Sequence, residues 1–530
     1  MPANQCDPMT PPREIELKLE VPEQALARLT RSSLLQKARN GTQRPAYLVS
    51  VYYDTDTQKL RKHGLTLRVR RMGRRHVQTI KQESGVSSTL MDRCEWERDI
   101  AGGKPNLALA RNTGLESILS KKLQARLKPL FETRVRRKLY SIRSAGSEIQ
   151  LTIDKGTVAA GRQSVPICDV DLELKRGDAA ELFKVARALA EQVPVQLVVT
   201  SKAERGYALI SGKKPGPFRA VPIAISPDGS CMAAFQTIAR ACLHQIVANQ
   251  DATRNGDSEG VHQTRVGLRR LRAAISLFGG MLLDPSCATI KRELKWITLE
   301  LGPARELDVF IEQVVKPANA GKSQQPGVAT LTRDLRRRRR EAFDRARSAI
   351  ESDRFRALVL DTAAWIEAGA WTRNADDLAR VIRDQPIAIV AATEMGCRRK
   401  KIVKRGTRLA TLDPVRRHRM RIQAKKLRYA SEFFGVTFPD KKAARWRKEF
   451  IAALERLQDT LGDLNDISMH EGLTKRLANT QQSGTRKPRT ANKAFAAGRL
   501  SGREEARIDS VLKDAERAYA SFAKARPFWR

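Results

Sequence analysis

The spacing of apolar residues changes once along this chain, and that change constrains the fold most. From Glu14 to about Arg205, polar and apolar residues alternate, as in EIELKLE, LTLRVR and DVDLELK, which predicts β-strands. A Pro- and Gly-rich segment at 211–229 follows. After it, apolar residues recur at helical spacing. We therefore expect an α+β chain of three parts: a sheet domain at 13–210, a linker at 211–229 and an all-α domain at 230–525.

The polar faces of the N-terminal strands carry both acids and bases. An exposed sheet with cross-strand ion pairs would explain any one such strand. Five strands of this kind in one domain favour a barrel whose interior is charged and filled with solvent.

The composition indicates a polyanionic partner. Lys and Arg number 99 against 58 Asp and Glu, a net charge of +41. Nucleic acid, an anionic membrane surface or a phosphate chain would each suit this charge. Aromatic residues make up only 5%, which disfavours a base-stacking surface, and we therefore do not expect nucleic acid to be the partner. No apolar stretch is long enough to span a membrane, and the seven cysteines form no CxxC pair, so we expect a soluble, cytoplasmic protein.

Two strand motifs predict a site for a metal and phosphate together. EIELK places Glu14, Glu16 and Lys18 on one strand face, and DLELK does the same with Asp171, Glu173 and Lys175. Paired carboxylates can share Mg²⁺, but the nearby lysine would repel it unless a phosphate chain lay between them. LTLRVR adds Arg68 and Arg70 on a single face, and guanidinium groups bind phosphate oxygens.

The ordered motifs EIELK, YYDT, LTLRVR, QTIK, CEWE, PLFETRVRRK, LTIDKG, DVDLELK and SKAERGYAL resemble the CYTH, or triphosphate tunnel metalloenzyme, family. This resemblance implies an antiparallel eight-stranded β tunnel with flanking helices that binds a triphosphate with Mg²⁺ or Mn²⁺. The metal-binding acids it implies are Glu14, Glu16, Asp154, Asp171 and Glu173. The phosphate-binding residues it implies are Lys18, which is also the catalytic candidate, Arg68, Arg70, Lys81, Arg137, Lys202 and Arg205.

Three features leave alternatives inside that resemblance. Asp171 stands where the family has Glu, one methylene longer. Arg134 and Arg136 compete with Arg137 as the phosphate-binding arginine of RVRR. Of Glu95 and Glu97, either would be the acid of the middle strand that touches metal.

The helical half contains two copies of one pattern. His262, Arg265, Arg269 and Arg272 have the spacing i, i+3, i+7 and i+10, and it recurs at His418, Arg421, Lys425 and Arg428. LGPARELDV and LGDLNDI follow the two copies at similar distances, which indicates an internal duplication. We expect Ser258 and Asp413-Pro414 to cap the two helices, Arg336–Arg340 to form a solvated face or arm, and Gln481–Arg503 to form a loop before one last helix.

These helices resemble the CHAD domain over about 226–525, on the motifs VHQTRVGLRRLRAAISLF, LGPARELDV, HRMRIQAKKLRYASEFF and LQDTLGDLND. The resemblance implies binding of inorganic polyphosphate by those eight residues of the repeated pattern. Together the two resemblances imply a bacterial-type inorganic triphosphatase, with polyphosphate granules as a place of association. A polyphosphate-binding protein with an inactive tunnel remains an alternative. So does a tunnel enzyme for an organic triphosphate, either a nucleotide, as in adenylate cyclase, or thiamine triphosphate.

Overall fold

The structure is a computed structural model that describes residues 13–38, 45–82, 90–212, 216–319, 328–373, 376–478 and 488–529. The described residues divide into two compact units. The first draws on the described residues within 1–219, 243–251 and 351–370, and the second on those within 220–242, 252–350 and 371–530. The domain boundaries themselves stay a prediction.

Nine strands of the described chain form one antiparallel sheet in the first unit. They are β1 (Arg13–Glu20), β2 (Ala46–Asp54), β3 (Leu65–Met72), β4 (Arg75–Gln82), β5 (Leu90–Ile100), β6 (Lys128–Ser144), β7 (Ser147–Ala160), β8 (Gln163–Arg176) and β9 (Gln196–Leu197). Their order is β5-β4-β3-β2-β6-β7-β8-β1-β9, and β1 also pairs with β5. Eight strands therefore close a ring, as expected. The two-residue β9, which was not expected, pairs with β1 beyond the end of β5.

Alternation along the strands gives the ring a polar interior and an apolar exterior. On β1, Leu17 and Leu19 are fully buried, while Glu16 and Lys18 point to the opposite face. Outside the ring, Leu65, Leu67 and Ile80 form part of an apolar cluster. Tyr52 and Val135, which belong to a second apolar cluster, face the interior. The predicted barrel with a charged interior is confirmed.

Six α-helices accompany the strands: α1 (Leu26–Thr30), α2 (Ser33–Lys37), α3 (Lys59–Lys62), α4 (Lys121–Gln124), α5 (Ala180–Ala190) and α6 (Lys202–Ser211). All the longer elements after α6 in the described chain are helices. The α-helices of this part are α7 (Cys231–Ala248), α8 (Gln250–Arg254), α9 (Ser258–Leu277), α10 (Pro285–Glu300), α11 (Gly302–Phe310), α12 (Lys316–Asn319), α13 (Val328–Glu351), α14 (Asp353–Ala368), α15 (Asp377–Asp384), α16 (Ile387–Gly406), α17 (Pro414–Phe434), α18 (Lys441–Ala478), α19 (Pro488–Glu505) and α20 (Ile508–Lys524).

The two repeated helices, α9 and α17, pack through their apolar faces in the second unit. Leu268 and Leu271 of α9, and Met420 and Leu427 of α17, are fully buried. Asp413 caps α17 as expected, because its carboxylate accepts a hydrogen bond from the Arg416 amide at 2.8 Å.

Two sequence expectations about helix ends are wrong. Asp257, not Ser258, caps α9, since its carboxylate accepts from the Gly260 amide at 2.9 Å. The expected loop at Gln481–Arg503 is largely helix, because 488–503 belong to α19, where Ala496, Ala497 and Leu500 are buried. Those three residues share one helix face, a signal that the polar and glycine content of the segment obscured. Residues 479–487 lie outside the described part. Among the described helices, none is both long and apolar enough to cross a membrane.

Candidate functional site: an acid and base tunnel and a basic helical cavity

A cavity of about 220 Å³ runs inside the ring of strands. Its charged lining includes six acids and seven bases contributed by seven strands and the start of α6. They are Glu16, Glu95, Glu97, Asp154, Asp171 and Glu173, with Lys18, Arg68, Arg70, Lys81, Arg137, Lys175 and Lys202. The tunnel thus collects most of the residues predicted for it. The side chain of Glu14 lies outside the described residues, although its backbone belongs to β1.

Lys18 lies between two acids on the wall formed by β1 and β8. Its ammonium group donates to Glu16 at 2.7 Å and to Asp171 at 3.2 Å, and all three side chains are buried. Lys18 and Asp171 are directly paired in the strand register. The shorter side chain of Asp171, where the family has Glu, therefore still reaches the lysine of the neighbouring strand.

The first turn of α6 delivers Lys202 to the same wall. Ser201 and Glu204 form a capping box that fixes the start of this helix. The Lys202 ammonium group then lies 3.0–3.1 Å from Asp154, Asp169 and Asp171. Burial alone would lower the lysine pKa, but these three carboxylates raise it well above its ordinary value. Lys202 is therefore a fixed positive charge.

Asp169 and Arg205 form a pair beside this wall. Arg205 contacts Asp169 at 2.9 Å and is not part of the cavity lining, although it was predicted to bind phosphate. Asp169 was not predicted. Its position two residues before Asp171 puts it on the same strand face, so the alternation in DVDLELK could have identified it.

Arg137 contacts Asp154 through two nitrogen atoms of its guanidinium group. The Nε and Nη2 atoms each donate to the Asp154 carboxylate at 2.7 Å. Arg134 and Arg136, the competing candidates, lie on the exposed face of β6, and Arg134 pairs there with Glu132 at 2.7 Å. The strand alternation therefore selects Arg137 as the tunnel arginine of RVRR.

The opposite wall, from β3, β4 and β5, carries a second group of charges. Lys81 donates to Glu95 at 2.8 Å, and Arg68 contacts Glu95 at 3.4 Å and Glu97 at 3.6 Å. Both acids of the middle strand therefore face the tunnel, and both are engaged by bases.

Arg70 differs from the other tunnel bases. Its Nε, like that of Arg68, is buried without a hydrogen-bond partner among the residues that the structure describes, but Arg68 contacts Glu95 and Glu97, whereas Arg70 contacts no acid there. Burial, together with the positive charges of Arg68 and Arg137, lowers its pKa to about 10, and Glu97 offsets this lowering only in part. A buried guanidinium without a hydrogen-bonded acceptor is a position where a phosphate oxygen would bind.

The acids of the β1 and β8 wall have the donor chemistry of a hard divalent cation. Glu16 and Glu173 are directly opposite each other in the strand register, where two carboxylates repel unless positive charge lies between them. All candidate ligands are oxygens, which suits Mg²⁺ or Mn²⁺. Within the described ranges, no three Asp, Glu, His or Cys side chains are grouped as a metal site. Glu16 and Asp171 instead contact the lysine ammonium groups described above. The carboxylates present are therefore suitable ligands for such a cation. A bound cation would replace the lysine ammonium groups that Glu16 and Asp171 contact in this structure.

A second, larger cavity of about 770 Å³ lies in the helical unit. Bases from both repeated helices and from neighbouring helices line it. They are His262, Arg265, Arg269, Arg305, Arg338, Arg345, Arg421, Lys425 and His470. The cavity also contains the acids Glu306, Glu341 and Asp466. Five of the eight residues predicted to bind polyphosphate therefore meet around one space.

Burial and the neighbouring positive charges lower the pKa values of three basic side chains in this cavity. Burial, with Arg421 and Arg269 nearby, lowers the pKa of Lys425 to about 7. Burial and Arg269 lower that of Arg265 to about 10. The pKa of His262 falls to about 4, chiefly by burial and by Arg305. An anion bound in the cavity would raise each of these pKa values again.

The remaining three predicted residues do not line this cavity. His418 is exposed, and its Nδ1 lies 2.5 Å from the Asn465 side chain. Arg428 donates to Gln458 at 2.8 Å and also pairs with Glu432. Arg272 lies one turn beyond Arg269 on α9, on an exposed position.

Three arginines of the cavity were not predicted as site residues. Arg305 lies in the LGPARELDV motif, and Arg338 and Arg345 are seven residues apart on α13, so they share one face. The expectation that Arg336–Arg340 form a solvated face is therefore wrong in part. Arg337 is exposed, but Arg338 lines the cavity and Arg339 pairs with Asp308 at 2.5 Å.

Fold and sites together define a two-part chain: a closed antiparallel sheet around a mixed acid and base tunnel, and a helical part with a basic cavity. The family model of the CYTH domain matches residues 12–207, and that of the CHAD domain matches residues 237–475. The chain carries a CYTH domain followed by a CHAD domain, and both resemblances seen in the sequence are confirmed.

Individual relatives match parts of the chain. Over 200 residues it is 30% identical to an inorganic triphosphatase of Haemophilus influenzae, a match that covers 37% of this chain and 55% of that protein. The chain thus spans about half the length of this curated relative. It is also similar to the solved CHAD domain of the plant Ricinus communis, at 28% identity and a TM-score of 0.49, covering 59% of this chain and 98% of that one. A Hippeastrum protein, HpAC1, described as having a dominant triphosphatase activity, is similar at 16% identity and a TM-score of 0.30, covering 38% of this chain and 98% of that one.

Proposed function

We propose that the tunnel hydrolyses inorganic triphosphate with the help of a divalent cation. The observation that carries this proposal is the buried Arg70 guanidinium, whose Nε has no acceptor in the described chain while Arg68 and Lys81 stand on the same wall. A short chain of phosphates would supply the missing negative charge. The triphosphatase relative and the CYTH domain support the same substrate class.

The two walls would divide the work. Arg68, Arg70 and Lys81 would bind the phosphate oxygens, since guanidinium and ammonium groups neutralise the charge that phosphoryl transfer spreads over them. Glu16 and Glu173, with Asp171 beside them, would hold Mg²⁺ or Mn²⁺. A bound divalent cation lowers the pKa of its water and polarises a phosphoryl oxygen. Lys18, whose contacts with Glu16 and Asp171 the cation would replace, would then bind and orient the terminal phosphoryl group for attack by water.

The test is phosphate release from inorganic triphosphate with Mg²⁺ and with Mn²⁺, alongside ATP and thiamine triphosphate. A Glu16→Gln variant keeps the shape of the side chain and removes its charge, and we expect it to lose activity with both metals. Glu132→Gln, on the exposed face of β6, is the matched control and should retain it. Absence of release from every substrate with either metal would leave a tunnel that only binds.

We further propose that the helical cavity binds inorganic polyphosphate without hydrolysing it. The charges lining it are mostly basic, and its lowered pKa values mark a place where like charges are held together. A flexible polyanion would relieve that repulsion, and such binding would attach the protein to polyphosphate granules.

Titration of the full chain with labelled long-chain polyphosphate tests this second proposal. An Arg269→Gln/Arg421→Gln variant should bind at least tenfold more weakly, because each substitution removes a charge-assisted phosphate contact. Competition with single-stranded DNA at the same salt concentration should leave polyphosphate bound, since both ligands respond to salt but only one needs stacking surfaces. Equal affinity of the variant and the unaltered protein would contradict the assignment of this cavity.

A further inference from the structure

Three bases from three helices meet outside the helical cavity, around Ser276 near the end of α9. Lys426 of α17 donates to the Ser276 hydroxyl at 3.2 Å, and Arg398 of α16 donates to the Ser276 carbonyl at 3.2 Å. Arg272 of α9 lies one turn before Ser276. Burial lowers the pKa of Lys426, and the positive charges of Arg398 and Arg272 lower it further. Glu394 contacts Arg398 at 3.1 Å, which leaves the cluster with an excess of positive charge.

This cluster continues the row of bases that lines the cavity. Arg269 lies in the cavity, and Arg272 follows it by three residues on the same stripe of α9. Lys425 also lies in the cavity, and Lys426 is its neighbour on α17. Each of the two repeated helices therefore places one base in the cavity and another at the Ser276 cluster.

From the cluster, α16 extends the row further. Lys401 and Arg405 follow Arg398 at i+3 and i+7, which places them on the same stripe of the helix. Both are exposed, and neither has an ion-pair or hydrogen-bond partner in the described parts of the chain. The adjoining side of α16 carries Met395 and Ile402, which are buried and anchor the helix. The exposed stripe is therefore a rigid surface with unneutralised charge.

We infer that a long polyphosphate chain, held at its middle or end in the helical cavity, leaves it past Arg272, Arg398 and Lys426 and continues along Lys401 and Arg405. This inference rests on the proposed polyphosphate binding. It extends that proposal by making affinity depend on chain length, because a short chain would fill the cavity without reaching α16.

The chemistry of the surface favours a phosphate chain over a nucleic acid. The helices α9 and α16 contain no aromatic residue, and the aromatic residues of α17, Tyr429, Phe433 and Phe434, are buried. Proteins that bind single strands without sequence preference combine bases with exposed aromatic rings on which the nucleobases stack. A row of bases alone suits a ligand that is charged along its whole length and has no bases to stack.

The experiment compares Lys401→Gln/Arg405→Gln with Lys441→Gln/Lys442→Gln in the full chain. The control removes two exposed lysines at the start of α18, so both variants lose the same net charge. Binding of size-fractionated short and long polyphosphate is measured over a series of salt concentrations. Because all proteins share one tunnel, its contribution cancels between variants.

The inference predicts that Lys401→Gln/Arg405→Gln binds the long chain about tenfold more weakly, with the slope of log K against log salt reduced by about 1 to 2. Its affinity for the short chain should equal that of the unaltered protein, and the control should change little with either chain. All the substituted residues are exposed, so thermal unfolding should not shift.

Three results would each contradict this inference, and each leads to a different conclusion. If the α16 variant and the control lose equal affinity for the long chain, the α16 surface is not a binding track, while polyphosphate binding itself stands. If the unaltered protein binds no long polyphosphate, the proposed function fails together with the inference. If the α16 variant loses more affinity for single-stranded DNA than for polyphosphate, the surface serves nucleic acid.

Discussion

Arg137 and Asp154 face each other on β6 and β7, and the guanidinium donates two 2.7 Å hydrogen bonds to the carboxylate. Asp154 is almost fully buried and is also 3.1 Å from Lys202. Burial alone would raise the pKa of Asp154, but Lys202 and Arg137 outweigh it and lower that pKa to about 2. Asp154 therefore links β6, β7 and α6 within the tunnel wall through its ion pairs with Arg137 and Lys202.

Replacing Arg137 should affect folding as well as activity. Arg137→Gln leaves the buried Asp154 with Lys202 as its remaining basic partner, and we expect a loss of about 3 kcal/mol in the free energy of unfolding. Arg134→Gln, on the exposed face of the same strand, should cost less than about 1 kcal/mol. Chemical denaturation of both variants measures the difference. Equal stabilities would show that the bidentate contact contributes nothing.

The same pair predicts how stability responds to acid. The pKa of Asp154 in the folded protein, about 2, lies below its ordinary value of 3.8, so its contribution is fully present above about pH 4. It is lost as pH falls toward 2, where the folded protein also takes up the proton. Asp154→Asn should therefore have a lower Tm at neutral pH and a flatter decline between pH 4 and 2. A decline as steep as that of the unaltered protein would assign the acid response to other groups.

Arg70 should be more important for activity than for stability. Its Nε lacks an acceptor in the described chain and it lies near two other cations, so Arg70→Gln should not lower the Tm of the unliganded protein. We expect kcat/KM for triphosphate to fall by about 100-fold, the typical effect of removing one stabilising donor. Arg71→Gln, the exposed neighbour on β3, is the control and should change neither quantity. A large loss of Tm in Arg70→Gln would mean that Arg70 has a structural partner.

Lys425 should make polyphosphate binding sensitive to pH near neutrality. Its pKa of about 7 in the free protein arises from burial and from Arg421, Arg269 and Arg428, and Asp466 compensates only in part. A bound polyanion raises that pKa, so binding takes up a proton and affinity falls as pH rises above 7. For the unliganded protein the sign is opposite. Between about pH 7 and the ordinary lysine value of 10.5, the unfolded chain holds the extra proton, so the penalty that this group places on folding decreases and stability rises as pH rises.

Lys425→Arg separates the charge from its titration, because arginine stays protonated over this range. The variant should bind polyphosphate at pH 7 about as well as the unaltered protein and should lose most of the decline in affinity between pH 7 and 9. Isothermal titration in two buffers of different ionisation enthalpy would report the proton uptake directly. If the decline persists in Lys425→Arg, another group causes it.

The positions within the second copy of the repeated pattern should not contribute equally to binding. Arg421 lines the helical cavity, whereas Arg428 is turned to Gln458 and Glu432. Arg421→Gln should therefore weaken polyphosphate binding about tenfold, and Arg428→Gln should change it by less than twofold, in line with the strength of a charge-assisted contact. Similar losses in the two variants would favour the view, derived from spacing alone, that all four positions of each repeat face the ligand.

The alternation of EIELK, LTLRVR and DVDLELK determined that Glu16, Lys18, Arg68, Arg70 and Asp171 share the interior of a closed sheet. It could do so because strand geometry fixes the face of every second residue. Helical spacing likewise determined the buried faces of α9 and α17. The spacing of residues could not predict which groups each charged side chain contacts in the folded protein. Lys202 meets three aspartates only because α6 begins beside the β1 and β8 wall, and Arg338 joins the helical cavity only because of the position that α13 takes.

The tertiary structure alone decided which charges are neutralised within the chain and which are left for a ligand. Arg137 and Arg70 look equivalent in the sequence, yet one binds Asp154 and the other has a buried Nε without an acceptor among the described residues. The physical reason is that face and periodicity are local properties of the backbone, whereas the electrostatic environment of a side chain is summed over groups that lie far apart in the sequence and close together in space.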